Sequence, residues 1–309
     1  MGFDSDDLAA LRAGLLGFCY QMLGSPLEAE DAVQDTMERA WRARVAFDPQ
    51  RGPLTSWTYR IARNVCLDRL RNSPRRLLPR DLNDPGLDVG KPLVAAPDVP
   101  WLMPAPTTWW DDSEPERAAV GAESVRLAVT AVLQMLPPRQ RGVFILRDAL
   151  GHSAAETAAI LELSVAAVNS ALQRARAAIT ARVPRPVPLR AGTVDDYARA
   201  IVHADAAALA TLVADDVVFE MPPVPQWSIG RDTYAAFMAH LFVWRGTRWT
   251  ARPTSANGEP GLLLFRVTEN GPQPHSLQLF TADATGTAIG HVLVYQDRTL
   301  FDLFLTAER

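Results

Sequence analysis

The chain has 309 residues with 35 acidic and 31 basic side chains, a formal charge of −4, which is too long for one average domain and enough for two or three compact units. Its composition is that of a soluble globular protein. No apolar run is long enough to span a bilayer and the acidic N-terminus is unlike a signal peptide, so a cytoplasmic protein with no membrane contact is expected. Cys19 and Cys66 lie in helical patterns and read as buried reduced thiols rather than a disulfide scaffold. No Cys or His cluster has metal-ligand spacing and no glycine-rich phosphate loop is present, so neither a metal nor a cofactor is expected.

Leu8, Leu11, Leu15, Phe18 and Met22 recur at three- and four-residue steps and predict a first amphipathic helix ending near Gly24. Ser25, Pro26 and Glu28 supply an N-cap, a first-turn proline and the far half of a capping box, so a second helix should run to about Arg44. It buries Leu27, Val33, Met37 and Ala40 and presents Asp31, Gln34, Asp35, Glu38, Arg39 and Arg42. Residues 48–53 (DPQRGP) form a turn, and 56–71 (SWTYRIARNVCLDRLR) return to helix. Along it Arg60, Asn64 and Arg71 fall near one face, with Trp57 and Tyr59 at its start. Cations, an amide and aromatic rings are the groups that hold an unstacked DNA strand. Arg60, Arg63, Arg69, Arg71, Arg75, Arg76 and Arg80 are interrupted only by Asp68, so the positive charge a nucleic-acid binder needs is local despite the acidic total.

Residues 77–116 turn Pro- and Asp-rich without helical period and read as an extended linker. Trp101, Trp109 and Trp110 are too many indoles for a solvated segment and should dock on the chain or on a partner. Within 136–179, Ser153 and Glu156 form a capping box that starts a short helix to about Leu161. Glu162, Leu163 and Ser164 break it, and Ser164 caps a second helix with Val165, Val168, Leu172, Ala175 and Ile179 facing inward. The opposite face carries Ala166, Ala167, Asn169, Ser170, Gln173, Arg174 and Arg176 and no acid. Small residues admit close approach to base edges, while Asn, Gln and Arg read them, so this is a helix-turn-helix. An ordinary three-helix packing unit with a solvated face is the alternative.

A proline cluster at 183–189 marks the next boundary. Helices at about 193–204 and 205–214, a VVFEMPP run at 217–223 and a helix from Arg231 to about Val243 are followed by runs at 248–254, 261–269, 275–283, 287–297 and 299–305 that read as strands. Helices first and then a curved antiparallel sheet make an α+β cone.

EAEDAVQDTMERAWR (28–42) followed by RGPLTSWTYRIARNVCLDRLR (51–71) resembles region two of an extracytoplasmic-function (ECF) sigma factor of the sigma-70 family, and 136–179 resembles its region four. The resemblance implies a multidomain protein: region two at 1–76, a linker at 77–116, region four at 117–183, a second linker at 184–192, and a third domain at 193–309. The helix bearing Asp31, Gln34, Asp35, Glu38, Arg39, Trp41 and Arg42 would dock on the clamp helices of the largest subunit of core RNA polymerase, with region four toward the flap. Trp57, Tyr59, Arg60, Arg63, Asn64 and Arg71 would recognise and melt the promoter's minus-ten element, Asn64 near a flipped base. Ala166, Ala167, Asn169, Ser170, Gln173, Arg174 and Arg176 would read the minus-thirty-five element of promoter DNA. Asn169 and Ala171 stand where many family members are basic, so that contact rests more on shape and on Arg174 and Arg176.

The last domain resembles the SnoaL-like polyketide cyclase superfamily, also called nuclear-transport-factor-two-like; its MPP...W..GR stretch (221–231) and ANG turn (256–258) are similar to those of actinobacterial sigma factors with this appendage. Such folds enclose a pocket, for which Trp227, His240, His291 and Tyr295 are the candidate lining residues and a small molecule the implied ligand. Asp216, Glu220, His275 and Asp302 are further titratable candidates; none forms a recognisable catalytic arrangement, and the chain is not read as an enzyme. The fused domain is expected to regulate through intramolecular contacts with the sigma domains. The alternative is a SnoaL-like enzyme of cyclase or isomerase type with a helical DNA-binding half.

Overall fold

The structure, a computed structural model, describes residues 3–73, 75–111 and 124–307. The end of the expected linker (112–116) and the first residues assigned to region four (117–123) lie outside these. Two compact units form: Met1–Arg76 with Leu102–Pro184, and Leu77–Trp101 with Arg185–Arg309.

The first unit is all helix and is built around α2 (Arg12–Leu23), which follows the short α1 (Ser5–Ala9). Leu15, Leu16, Phe18, Cys19, Tyr20, Met22 and Leu23 are all buried, and a helix that is apolar all round belongs in the middle of a bundle. It stops at Gly24, whose φ of 71° is the left-handed cap that glycine adopts without strain. The Ser25 hydroxyl then accepts from the Glu28 amide to start α3 (Pro26–Arg42), and α4 (Leu54–Asn72) follows. After residue 101 the chain returns to α2: the Met103 amide donates to the Gly24 carbonyl at 3.0 Å, and the Tyr20 hydroxyl donates to the Met103 carbonyl at 3.1 Å. The short α5 (Thr108–Asp111) sets Trp109 and Trp110 edge-on to Tyr20 at 6.4 and 5.8 Å. These indoles therefore pack on the chain's own helices.

Four more helices complete the unit: α6 (Leu127–Met135), α7 (Pro138–Phe144) running into a single π turn (Ile145–Ala149), α8 (Ala154–Leu161) and α9 (Val165–Thr180). Leu133, Val143, Phe144, Ile160, Val168 and Leu172 share one core with α2 and α4, so the two expected helical domains are joined by a common apolar interior. Cys19 and Cys66 are free thiols inside it; their mutual hydrogen bond and burial hold the Cys19 thiol well above its ordinary pKa. Arg141 is only 4% exposed and has no carboxylate partner among the described residues. Its guanidinium instead donates to the Met22 carbonyl at the end of α2, to the Gln134 side chain at 3.0 Å, and to the Gln134 and Leu136 carbonyls at 3.1 and 3.4 Å. Carbonyls at two helix C-termini carry the negative end of the helix dipole, the one neutral partner suited to a buried cation.

The second unit is a six-stranded sheet in the order β2-β1-β6-β5-β4-β3, with β1 (Val213–Met221) parallel to β6 (Ile289–Tyr295) and every other pairing antiparallel. The remaining strands are β2 (Val224–Ile229), β3 (Trp249–Ala256), β4 (Glu259–Thr268) and β5 (Gly271–Ala282). Helices α10 (Thr193–Val202), α11 (Ala206–Leu212) and α12 (Arg231–Arg245) fill one face with Tyr197, Leu209, Tyr234, Phe237 and Met238 against Phe219, Leu262, Leu264, Phe280 and Val292. The α+β expectation holds. Three elements differ from the sequence reading: 205–214 leaves helix at Leu212 and enters β1, 299–305 is not a strand but part of α13 (Arg298–Ala307), and β2 is an additional strand. Leu300, Phe301 and Phe304 recur at helical spacing and are buried, with Phe301 edge-on to Phe265, so α13 caps the sheet's other face where a further strand was expected. β2 was not read as a strand because Pro225 within it and the Pro222–Pro223 pair just before it hide its alternation.

Residues 77–101 correct the expectation of an extended linker, because backbone hydrogen bonds tie them to the sheet. They form a strap whose ends meet at a Leu77–Trp101 bridge. The Gly86 and Leu87 amides donate to the Trp227 carbonyl at 2.9 and 3.0 Å, and Ala96 donates to the Pro223 carbonyl at 2.8 Å. Buried edge groups need such partners, and the strap supplies them to edge strand β2.

Arg141→Ala should destabilise the helical unit by about 3 kcal/mol, since it leaves buried carbonyls at two helix ends without a donor. Urea unfolding followed by Trp109 and Trp110 fluorescence measures this.

Candidate functional site

On α3, Asp31, Gln34, Glu38, Arg39, Trp41 and Arg42 are exposed. Their spacing puts Asp31, Gln34, Glu38, Trp41 and Arg42 along one side of the helix. Trp41 is 42% exposed and stacks with the Arg44 guanidinium at 4.5 Å; an exposed indole in an acidic and basic surround is the kind of residue that anchors an interface. Asp35 differs from its neighbours. It is half-buried and ion-paired to Arg69 of α4 at 2.7 Å, so it braces α3 against α4.

The α4 residues divide in the same way. Asn64 and Arg71 are exposed, Arg60 and Trp57 are half-buried, and Trp57 packs with Phe3 and Phe47 at 5.6 and 5.4 Å. Tyr59 is 4% exposed, edge-on to Phe18 at 5.6 Å and His152 at 5.2 Å, so its ring belongs to the core. Arg63 reaches the helix-turn-helix: it donates to the Ile160 carbonyl at 3.1 Å and pairs with the Glu162 carboxylate at 2.8 Å, while Asn64 Oδ1 accepts from the same guanidinium at 2.8 and 3.1 Å. Glu162 is the turn residue between α8 and α9 and has φ 56°, a left-handed conformation that costs a non-glycine residue about 1 kcal/mol. Its hydrogen bond from Arg63 and the charge of that guanidinium hold its carboxyl below the ordinary value.

On α9, Ala166, Asn169, Ser170, Gln173, Arg174 and Arg176 are exposed and Ala167 is half-buried. Ser164 accepts from the Ala167 amide, the capping-box pair Ser153–Glu156 starts α8, and both caps fix the turn between the two helices. Arg174 bonds Ser170 Oγ at 2.6 Å, which leaves its charge facing out. Arg176 is committed elsewhere: Asp148 of the π turn holds it with two bonds of 2.7 and 2.8 Å and raises its pKa. It braces α9 while remaining 59% exposed.

Three of the four pocket candidates of the last domain share one face of the sheet, and the fourth lies on a helix. Glu220 pairs with Trp227 and Leu293 across the sheet, so Glu220, Trp227, His291 and Tyr295 lie on the face away from the helix-packed interior, and His240 is exposed on α12. The interior is filled by aromatic rings, with polar tips satisfied among themselves: Tyr197 and Tyr234 hydroxyls 2.6 Å apart, and Tyr197 donating to Gln278 Oε1 at 3.0 Å. Asp302 pairs with Arg298 on α13. Trp227 Nε1 donates to the Asn83 carbonyl of the strap at 2.8 Å.

Glu220 is fully buried and is claimed by Arg80 of the strap. The Arg80 amide donates to Oε1 at 2.9 Å, its Nε donates to Oε2 at 2.8 Å, and His291 Nε2 lies 2.9 Å from the same oxygen. Burial alone would oppose ionisation; the bond from His291 and the charge of Arg80 outweigh it and hold the Glu220 carboxyl down at about 2. Burial, reinforced by Arg80 and opposed by Glu220, pushes the His291 imidazole down from its ordinary value. A carboxylate and an imidazole together have the composition of an acid–base pair, yet here they serve as a socket for a guanidinium. Among the described residues no group of three or more His, Cys, Asp or Glu is arranged to hold a metal, and no single helix is long and apolar enough to cross a membrane.

Sequence reasoning missed Arg141, Glu162 and the pairing of Arg80 with Glu220. Each has a partner far along the chain (Met22 for Arg141, Arg63 for Glu162, Glu220 for Arg80), and only the lack of helical period beyond Leu77 hinted that an arginine there needed one.

Comparison with known proteins places three families along the chain: Sigma-70 region 2 at residues 8–76, Sigma-70, region 4 at 126–179, and SnoaL-like domain at 194–293. The ECF RNA polymerase sigma factor SigG of Mycobacterium tuberculosis is 35% identical over 303 residues, covering 95% of this chain and 81% of that one. The ECF RNA polymerase sigma factor SigJ of the same organism is 30% identical over 219 residues, covering 69% and 63%. The crystal structure of Mycobacterium tuberculosis extracytoplasmic function sigma factor SigJ superposes with a TM-score of 0.63 at 23% identity, over 97% of this chain and 99% of that one, and so shares its fold.

Because Glu220 has its pKa lowered on folding, its ionisation stabilises the fold fully above its ordinary value near 4.5 and the contribution is lost as pH falls toward about 2. Acid titration of the folded chain should show this loss, of about 2–3 kcal/mol, and Glu220→Gln should remove it while lowering stability at pH 7.

Proposed function

The chain belongs to the ECF RNA polymerase sigma factors, and from that premise we propose that it starts transcription in two steps, the helical domains separating first and gripping promoter DNA second. It acts in the cytoplasm, where polymerase works. The exposed side of α3, centred on Trp41 with Gln34 and Glu38, docks on core RNA polymerase; Asp35 contributes by bracing that helix. On α4, Arg60, Asn64 and Arg71 hold the melted minus-ten strand, and on α9, Asn169, Gln173 and Arg174 read the minus-thirty-five element in the major groove.

The observation that carries the two-step reading is the position of Arg63. Its guanidinium donates to the Ile160 carbonyl and pairs with the Glu162 carboxylate of the helix-turn-helix domain, so one arginine of the strand-binding helix is held by the other DNA-binding domain while Asn64 and Arg71 beside it stay exposed. Polymerase docking supplies the free energy to part them. The strap sits between the two domains in sequence. Fastened by Arg80 to Glu220 and closed at Leu77–Trp101, it limits how far they separate, whereas a released chain of that length spans several tens of ångströms. This gives the C-terminal domain its regulatory role. The enzyme alternative is not favoured: the relatives are sigma factors, and the Glu220–His291 pair is occupied by Arg80.

Retention of core RNA polymerase by the immobilised chain tests the docking assignment. Trp41→Ala should weaken retention at least tenfold, about 1.4 kcal/mol or more, with thermal stability unchanged; equal retention would remove α3 from the interface. Glu162→Gln should raise binding to an open-complex mimic a fewfold, since a partly exposed ion pair is worth about 0.5–1 kcal/mol; fluorescence anisotropy on a bubble template measures it.

A further inference from the structure

We propose that the C-terminal domain binds a small phosphorylated anion in a recess at the end of the sheet, between the last turn of α12, the Gly246–Arg248 turn and the end of β4. The recess has a volume of about 480 Å³ and is lined by Arg245, Arg248 and Arg266, with Glu269 as the one acid in its wall. It is separate from the Glu220 socket and from the candidate pocket residues.

Three observations converge. The first is charge. None of the three guanidiniums is ion-paired among the described residues: Arg245 lies over the Trp244 ring at 3.9 Å, Arg248 donates to the Thr268 carbonyl at 3.3 Å, and Arg266 stands opposite Trp249 on the inner face of the sheet. In a chain of net charge −4, three cations gathered with one acid nearby repel one another unless an anion joins them. The second is orphaned polar atoms. Arg245 Nε and His275 Nε2 are buried without a hydrogen-bond partner, and such groups in a native fold call for a ligand, a water or an ion. The third is the imidazole. His275, outside the wall of the recess, lies edge-on to Trp249 at 4.8 Å, and its pKa is pushed down to about 4, first by burial and then by Arg245 and Arg266; the positive charge gathered here is strong enough to keep a nearby imidazole neutral.

The class of ligand follows from the donors. Guanidinium forks match the paired oxygens of a phosphate group, and a recess of this size falls in the range of small-ligand sites rather than single-ion sites. The C-terminal end of α12 presents carbonyls of partial negative charge nearby, which disfavours an anion by about half a charge, less than the three arginines supply. Occupancy would stabilise the C-terminal domain by mass action.

Isothermal titration of the full chain with inorganic pyrophosphate, and separately with inorganic phosphate, tests this. Wild type should bind pyrophosphate saturably at one site, and Arg245→Gln or Arg266→Gln should each weaken binding about tenfold with unchanged thermal melts, while Arg199→Gln on α10 leaves it intact. Absence of saturable binding, or equal loss in the Arg199 variant, would overturn the site. A DNA duplex whose binding depends on Arg266 while pyrophosphate gives no heat would overturn it in favour of a DNA-backbone contact.

Discussion

A buried cation, Arg141, joins the two helical domains. Its guanidinium sits in the shared core, where its two terminal nitrogens donate to carbonyls at the ends of α2 and α6, and burial lowers its pKa to about 10, so it stays charged at neutral pH. A charge in that place is tolerable only while both helix ends are present, because water cannot replace them. The Gln134 amide, which donates to the Gln21 carbonyl at 3.2 Å, adds a second tie at the same junction. The rest of the helical unit is arranged round it: α2 runs through the middle, α4 and α8 meet over Arg63, and the Trp109–Trp110 segment closes over Tyr20.

The same economy governs the C-terminal domain. Its one fully buried carboxylate among the described residues, Glu220, is neutralised by an arginine from the strap, so the segment that connects the two DNA-binding domains is fastened by charge as well as by backbone bonds. Both ties are polar contacts in low-dielectric surroundings. They are strong while complete and costly when half-made, the behaviour expected of contacts that switch between two arrangements.

Local signals in the sequence were sufficient for much of this. Capping residues Ser25, Ser153 and Ser164 placed three helix starts, the three- and four-residue spacing of Val168, Leu172 and Ala175 gave the inward stripe of α9, and the motif order identified both sigma regions and the appended domain. What escaped depended on distant partners. Asp35 and Glu38 look alike on paper, yet Arg69 draws only Asp35 inward. The strap reads as a linker because its order comes from the edge of a strand more than a hundred residues on. The 299–305 run has alternating and helical positions at once, and only the apolar face it covers decided for helix. His291 and Tyr295, four apart on one strand, share the face of the sheet opposite the one that α10–α12 cover.

Mapping transcription starts with purified core RNA polymerase, with and without the full chain, on genomic DNA tests the central claim most directly. The account predicts a defined set of starts that share paired upstream elements and appear only when the chain is present; starts no different from those of core enzyme alone would contradict it.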